Sequence, residues 1–234
     1  MFVDPNELAG RPEDIERIEK ASMRMVSHAL ASFAVDAARF FETEADLAGD
    51  IGEDITREAL DELGVSRAPK RLLGKMDYKR ARYVFFPEMA TRQALFIDSK
   101  AEKDSRTATI QTSQTSMEIR QVRSGREVNK PGGLPVVMED PAGRFLVTTV
   151  FVKFAYAEED GRKHLEHIIP ACIPNGMLQD KYNPSHKDTI WLAGRNAPTL
   201  GEEFRVRLSF KALRRKAPWR VQAIRPNGAI TWVD

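Results

Sequence analysis

Asp77, Asp98 and Lys100 are the residue types that a metal-assisted hydrolysis needs. Two carboxylates supply hard oxygen ligands for a divalent cation such as Mg2+. The cation polarises the reacting group and acidifies bound water, while a neighbouring ammonium orients that water or offsets the charge that develops in the transition state. Phosphodiester hydrolysis is the reaction such a trio suits. Spacing brings two of the three together, because side chains alternate along an extended strand and positions 98 and 100 therefore project from one face. Both follow the short apolar run 93–97 (QALFI), which reads as a central strand. A carboxylate at the end of such a strand needs a cation for a partner.

The elements around the trio must then deliver it. Residues 75–86 mix aromatic and β-branched positions with alternating charge and stop at Pro87, as a strand does; a hairpin with 92–100 puts Asp77 beside the other two. Upstream, Pro12, Glu13 and Asp14 suit a first helical turn. Ile15, Ile18, Met25, Ala29, Phe33, Ala37 and Phe40 recur at helical spacing, which predicts one long amphipathic helix ending near Glu42. A second helix is expected over 52–63, closed by Gly64, with Glu53 and Asp54 in its first turn. Downstream, 145–156 (FLVTTVFVKFAY) and 165–173 read as strands around the turn Glu159-Asp160-Gly161. The polar stretch 103–130 shows no clear period before Pro131-Gly132-Gly133 breaks the chain. Residues 174–201 read as a long polar loop, a length that is uncommon and often functional. Residues 204–210 (FRVRLSF) alternate apolar with basic positions and lead into a basic helix at 211–216.

A chain of 234 residues can fill one sizeable core, and a single domain over 1–234 is expected. Hydrophobic residues at 42% and charged residues at 30% are those of an ordinary globular protein, which excludes disordered and fibrous classes. With 36 Lys and Arg against 34 Asp and Glu, the net charge is only +2, so a surface for a polyanion has to be built by clustering. Cys172 alone cannot form an internal disulfide, fits a reducing cytoplasm, and reads as a small buried side chain. No stretch approaches the roughly 20 apolar residues of a membrane span. His164 and His167 lack the HExxH order of a zinc helix, and on a regular strand they point to opposite faces.

Asp followed about twenty residues later by Asp-x-Lys is the arrangement of PD-(D/E)xK nucleases, with Met76 in place of a proline that contributes no ligand. MDYKRARY, LFIDSKA and QTSQ resemble the SfiI family of type II restriction endonucleases, which is related to BglI. IERIEKASMRMVSHAL, FFETEAD, EDITREAL, LQDKYNP, GEEFRVRLSF and APWRVQAI are similar to further stretches of that family in the same order, so the likeness spans about residues 13–224. The resemblance implies an α/β restriction-endonuclease-like fold, a central mixed β-sheet flanked by helices. It implies Mg2+-dependent double-strand cleavage of DNA at an interrupted, GC-rich palindrome, with Asp77, Asp98 and Lys100 as the catalytic residues. Asp77 and Asp98 would hold the metal, and Glu53 lies on the helix that can bring a further acid to it.

A palindrome read by identical chains requires at least a homodimer, and the resemblance implies a homotetramer holding two DNA copies. Arg and Lys read guanine in the major groove and Asn reads adenine. The candidates are Lys187, Arg195 and Asn196 in the long loop, Arg205 and Arg207 on one polar strand face, and Arg106 shortly after the catalytic strand. A catalytically inactive DNA-binding protein derived from the same fold is the competing reading, against which the intact trio speaks. A small-molecule hydrolase using the long loop as a lid is more distant.

Overall fold

The computed structural model of the chain describes residues 2–43, 48–62, 64, 81–103, 106–193 and 204–234. Pro12 at the first helical position and the acids behind it open helix α1 (Pro12–Ser32). The apolar period continues into α2 (Ala34–Thr43), but the single helix expected from that period is broken at Phe33, which has φ −96° and ψ 0°. The C-terminal segment presses on α1 at this point: Gly228, at φ +81°, lies so near Ala31 that a Cβ there would sit 2.7 Å from its carbonyl oxygen. The break turns α2 onto the sheet. Helix α3 (Ala48–Glu62) starts earlier than its apolar spacing indicates, and just beyond its end Gly64 has a φ of +68°, readily adopted only without a side chain.

Strands β1 (Ala81–Phe86) and β2 (Thr91–Glu102) form the expected antiparallel hairpin, joined through a 3-10 turn at Pro87–Met89. The stretch that sequence periodicity left unassigned contains β3 (Thr107–Gln111), β4 (Ile119–Arg123) and β5 (Arg126–Lys130). Next come β6 (Val137–Asp140), the long β7 (Gly143–Glu159) and β8 (Arg162–Ile173). Two residues in the left-handed region, Asp160 and Gly161, make the tight turn between β7 and β8. The pairing of β8 skips Glu166, so His164 and His167 register with Ala157 and Ala155 and fall on the same side of the strand, contrary to regular alternation.

Residues 174–201 are not the continuous loop their polarity indicates. Among those described are a 3-10 turn at Gly176–Leu178, α4 (Gln179–Tyr182) and β9 (Trp191–Leu192), and Tyr182, Asn183, Ile190 and Trp191 are buried. Isolated apolar side chains anchor this segment, and isolated anchors leave no period to read. Strand β10 (Arg205–Ser209) and helix α5 (Phe210–Lys216) follow as predicted, with Ser209 capping the helix by accepting from the N–H of Ala212 at 3.2 Å.

The principal sheet runs β1-β2-β7-β6, with β8 also paired to β7. Strands β2 and β7 are parallel and their other pairings antiparallel, so the sheet is mixed. Both central strands are buried on two faces, which is why QALFI and FLVTTVFV read as apolar runs without alternation. Leu95, Ile97 and Ser99 register with Thr148, Val150 and Val152, and the next side chain on that face, Phe154, meets Gly52 of α3 and stacks on Phe41 of α2. Helices therefore cover this face, and buried Arg82 of β1 pairs with Asp61 of α3 at 3.0 Å. The other face holds a smaller core of Ala94, Phe96, Leu134, Met138, Phe145 and Val147. Farther along β2, the same face carries Asp98, Lys100 and Glu102. A three-stranded sheet, β3-β10-β9, meets it there. No helix among the described residues is long and apolar enough to cross a membrane.

The N-terminal helix is fastened to the C-terminal segment by ion pairs. Glu16 accepts from Lys181 Nζ at 2.7 Å and from the Tyr182 hydroxyl, and lies 3.6 Å from the Arg220 guanidinium. Burial pushes the Glu16 carboxyl up, but these three partners override it and hold the group below the usual carboxylate range. A depressed folded-state pKa contributes stability that is full above the unfolded value and is lost as the pH falls through the folded one. Acid should thus lower the melting temperature less in Glu16→Gln than in the wild type, as thermal unfolding at neutral and acid pH would measure. Equal acid sensitivity would show that this carboxylate contributes nothing.

Candidate active site

Asp98 stands where β2 leaves the interior; it is 9% exposed. Its Oδ2 accepts from Nε2 of Gln114, which sits in a 3-10 turn at Thr112–Gln114 just beyond β3. Gln114 is itself oriented: its Oε1 accepts from the backbone N–H of Gln111 at 2.8 Å, leaving the amide nitrogen to face the carboxylate. The carboxylate is thereby held in one rotamer before any ligand arrives. Lys100, two residues on and 40% exposed, projects from the same face with its Nζ 3.5 Å from Oε1 of Glu102. Strand geometry thus brings Asp98 and Lys100 together as their spacing indicates. Asp77 lies outside the described residues. Glu53 is half-buried on α3, next to the Gly52 that meets the helix-covered side of the sheet.

The candidate DNA-contacting residues distribute around this point. Arg207 of β10 is exposed and Arg205 partly buried, while Val206 and Leu208 between and beside them are buried, so the two arginines share a polar face as their alternation predicts. They register with Gln111 and Thr109 of β3, the strand that leads into the Gln114 turn. Arg106 is exposed just before β3, and its carbonyl accepts from the N–H of Phe210 at 3.3 Å. Lys187 is exposed ahead of β9. Arg195 and Asn196 lie outside the described residues.

Three residues at the site escape sequence reasoning in whole or part. Gln114 carries the signal QTSQ, but its contact with Asp98 depends on a turn no local pattern announces. Glu102 continues the period-two row of Asp98 and Lys100, so its face was legible. Lys153 is the one charged side chain in FLVTTVFVKFAY and is fully buried, donating to Glu102 and to the Thr107 carbonyl. A lysine inside an apolar strand is the signal that marks it.

The mixed sheet, the helices on one face and the Asp-x-Lys step where β2 leaves the interior define a restriction-endonuclease-like protein. The crystal structure of tetrameric restriction endonuclease SfiI bound to cognate DNA matches with a TM-score of 0.83 at 29% identity, covering 96% of this chain and 88% of that one. Restriction endonuclease BglI bound to its DNA recognition sequence matches with a TM-score of 0.73 at 15% identity, over 95% and 94% of the two chains, a likeness of fold alone. Type II restriction enzyme SfiI of Streptomyces fimbriatus is 33% identical over 227 residues, covering 91% of this chain and 84% of the relative. The sequence model of the family described as Type II restriction enzyme SfiI matches residues 14–224. The chain belongs to the SfiI family of type II restriction enzymes, which are site-specific endonucleases.

Enzymes of this type generally need a divalent metal. The described donor set fits a hard cation: a carboxylate oxygen at the edge of the interior, oriented by an amide, with an ammonium nearby to balance anionic ligands. No group of three or more His, Cys, Asp or Glu side chains among the described residues could hold a metal. A complete ligand set therefore needs an acid or a substrate oxygen besides Asp98.

Proposed function

We propose that the chain is a type II restriction endonuclease that cuts both strands of DNA at a GC-rich interrupted palindrome, using Mg2+ held by Asp98 and Asp77. The observation that carries this reading is the placement of Asp98 and Lys100 on one face where β2 leaves the interior, in a chain that matches the family over residues 14–224. A bound Mg2+ supplies Lewis-acid polarisation of the phosphate and a water acid enough to attack at neutral pH. Asp98 and Asp77 provide carboxylate oxygens. Lys100 directs its ammonium at the attacking water and at the charge gathering on the phosphoryl oxygens. Gln114 keeps Asp98 from swinging away, so the ligand is organised in advance.

On the nucleic-acid side, Arg205 and Arg207 reach the major groove from the exposed face of β10, with Lys187, Arg195 and Asn196 from the adjoining segment and Arg106 at the start of β3. The SfiI structure is a DNA-bound tetramer, and we assign this chain the same homotetrameric state, in which each homodimer reads one palindrome. It acts in the cytoplasm, where its single cysteine remains reduced.

Incubating DNA of known sequence with the protein and Mg2+ should give discrete fragments, and EDTA should abolish them. Sequencing the fragment ends would give the target, the spacer and the overhang. Specific binding with no cutting in Mg2+ would refute the reading in favour of an inactive DNA-binding relative. For the groove contacts, alanine at both Arg205 and Arg207 should weaken specific binding by roughly 1–3 kcal/mol per lost base contact while sparing the melting temperature. Equal affinity for the target in a mobility-shift titration would remove these arginines from the interface.

A further inference from the structure

Lys153 has no role in the chemistry just described, yet its position ties it to that chemistry. In the parallel pairing of β2 with β7 it is the direct partner of Lys100, on the same face. Its side chain is 0% exposed, and its ammonium donates to Glu102 Oε2 at 2.8 Å and to the backbone carbonyl of Thr107. The other oxygen of Glu102 lies 3.5 Å from the Lys100 ammonium. Lys153, Glu102 and Lys100 thus form a continuous chain of charge from the interior to the site.

Each member differs in freedom. Lys153 is walled in and held by two acceptors, so its ammonium is fixed. Glu102, 21% exposed, takes its orientation from that anchor. Lys100 is 40% exposed on a four-carbon stem, and a lysine so placed loses rotamer entropy when held in one position. We propose that Lys153 is a positioning residue for DNA cleavage: by anchoring Glu102 it confines the Lys100 ammonium beside Asp98. The proposal rests on the assignment of Asp98 and Lys100 to the active site. The bond to Thr107 extends the same anchor to β3, whose neighbour β10 carries Arg205 and Arg207. Lys153 therefore joins the catalytic strand to the sheet proposed to contact DNA.

The test uses the full-length protein with Glu102→Gln, Lys153→Met and Lys153→Arg, each alone and combined with Lys100→Ala. Single-turnover cleavage at saturating enzyme is measured beside DNA affinity in the absence of divalent metal. Glu102→Gln and Lys153→Met should slow cleavage on the order of ten- to a hundredfold, the scale of a small misplacement of a reacting group, and Glu102→Gln, which leaves the bond from Lys153 to Thr107 in place, should keep its DNA affinity. Lys153→Arg should recover most of the rate. In the Lys100→Ala background, none of the three should slow the residual cleavage further. Should Lys153→Met fail to fold, Glu102→Gln, at a partly exposed position, carries the test by itself. A wild-type rate in Glu102→Gln, or an equal loss with and without Lys100, would overturn the proposal and leave the buried lysine a structural ion pair. Full activity in Lys100→Ala would instead overturn the active-site assignment beneath it, so the two failures are distinguishable.

Discussion

Asp98→Asn is expected to lower the rate of DNA cleavage by roughly a thousandfold or more, the scale seen when a group acting in the transition state is removed, while DNA binding and folding persist. The substitution keeps shape and volume. Its amide oxygen can still accept from Gln114 Nε2, so the turn at Thr112–Gln114 keeps its tie to β2. What disappears is the negative charge and with it the carboxylate ligand. Removing a charge from a residue only 9% exposed relieves a desolvation cost, so the melting temperature should hold or rise. Single-turnover cleavage, a mobility-shift titration without divalent metal and thermal unfolding check the three parts. Asp98→Ala is the weaker experiment, because it also strands the Gln114 amide. Cleavage by Asp98→Asn at near the wild-type rate would remove Asp98 from the metal site.

What made Asp98 legible was its position behind an apolar run too short for a helix and ended by two charges in period two. The same rule found the faces of β10, because Val206 and Leu208 alternate with Arg205 and Arg207 within one strand. Period failed wherever a side chain is fixed by a partner distant in sequence. Gln114 reaches Asp98 from a turn 16 residues away, and Arg220 reaches Glu19 across 201. The polar strands β3 to β5 gave no signal because they bury little: β3 buries only Ala108 and Ile110, between Thr107, Thr109 and Gln111, and β5 has no buried residue. The break at Phe33 was hidden for the opposite reason: the apolar spacing runs unbroken through it, and the Gly228 segment that meets α1 there lies almost 200 residues on.

The largest expected effect on stability lies far from the nuclease chemistry, at Arg220. Its guanidinium donates to Glu19 Oε2 at 2.6 Å, and both side chains are 0% exposed. The rings of Tyr182 and Trp219 each lie 4.3 Å from its central carbon. Burial opposes a charge here, but the Glu19 carboxylate more than offsets it and holds the guanidinium above its ordinary range. Glu19 also accepts from the backbone N–H of Asn175 at 2.7 Å, so the pair joins α1 to the segment after β8 and to the chain end. Arg220→Met keeps much of the volume and the contact with both rings but leaves Glu19 buried without its cation. The expected loss is about 3–5 kcal/mol, the usual cost of removing one partner from a buried pair, read as a drop in the urea unfolding midpoint at constant slope. Glu19→Met combined with Arg220→Met should recover a large part of that loss, because no uncompensated charge remains. A double variant as unstable as the sum of the singles would show that shape around the pair, and not the stranded carboxylate, sets the cost.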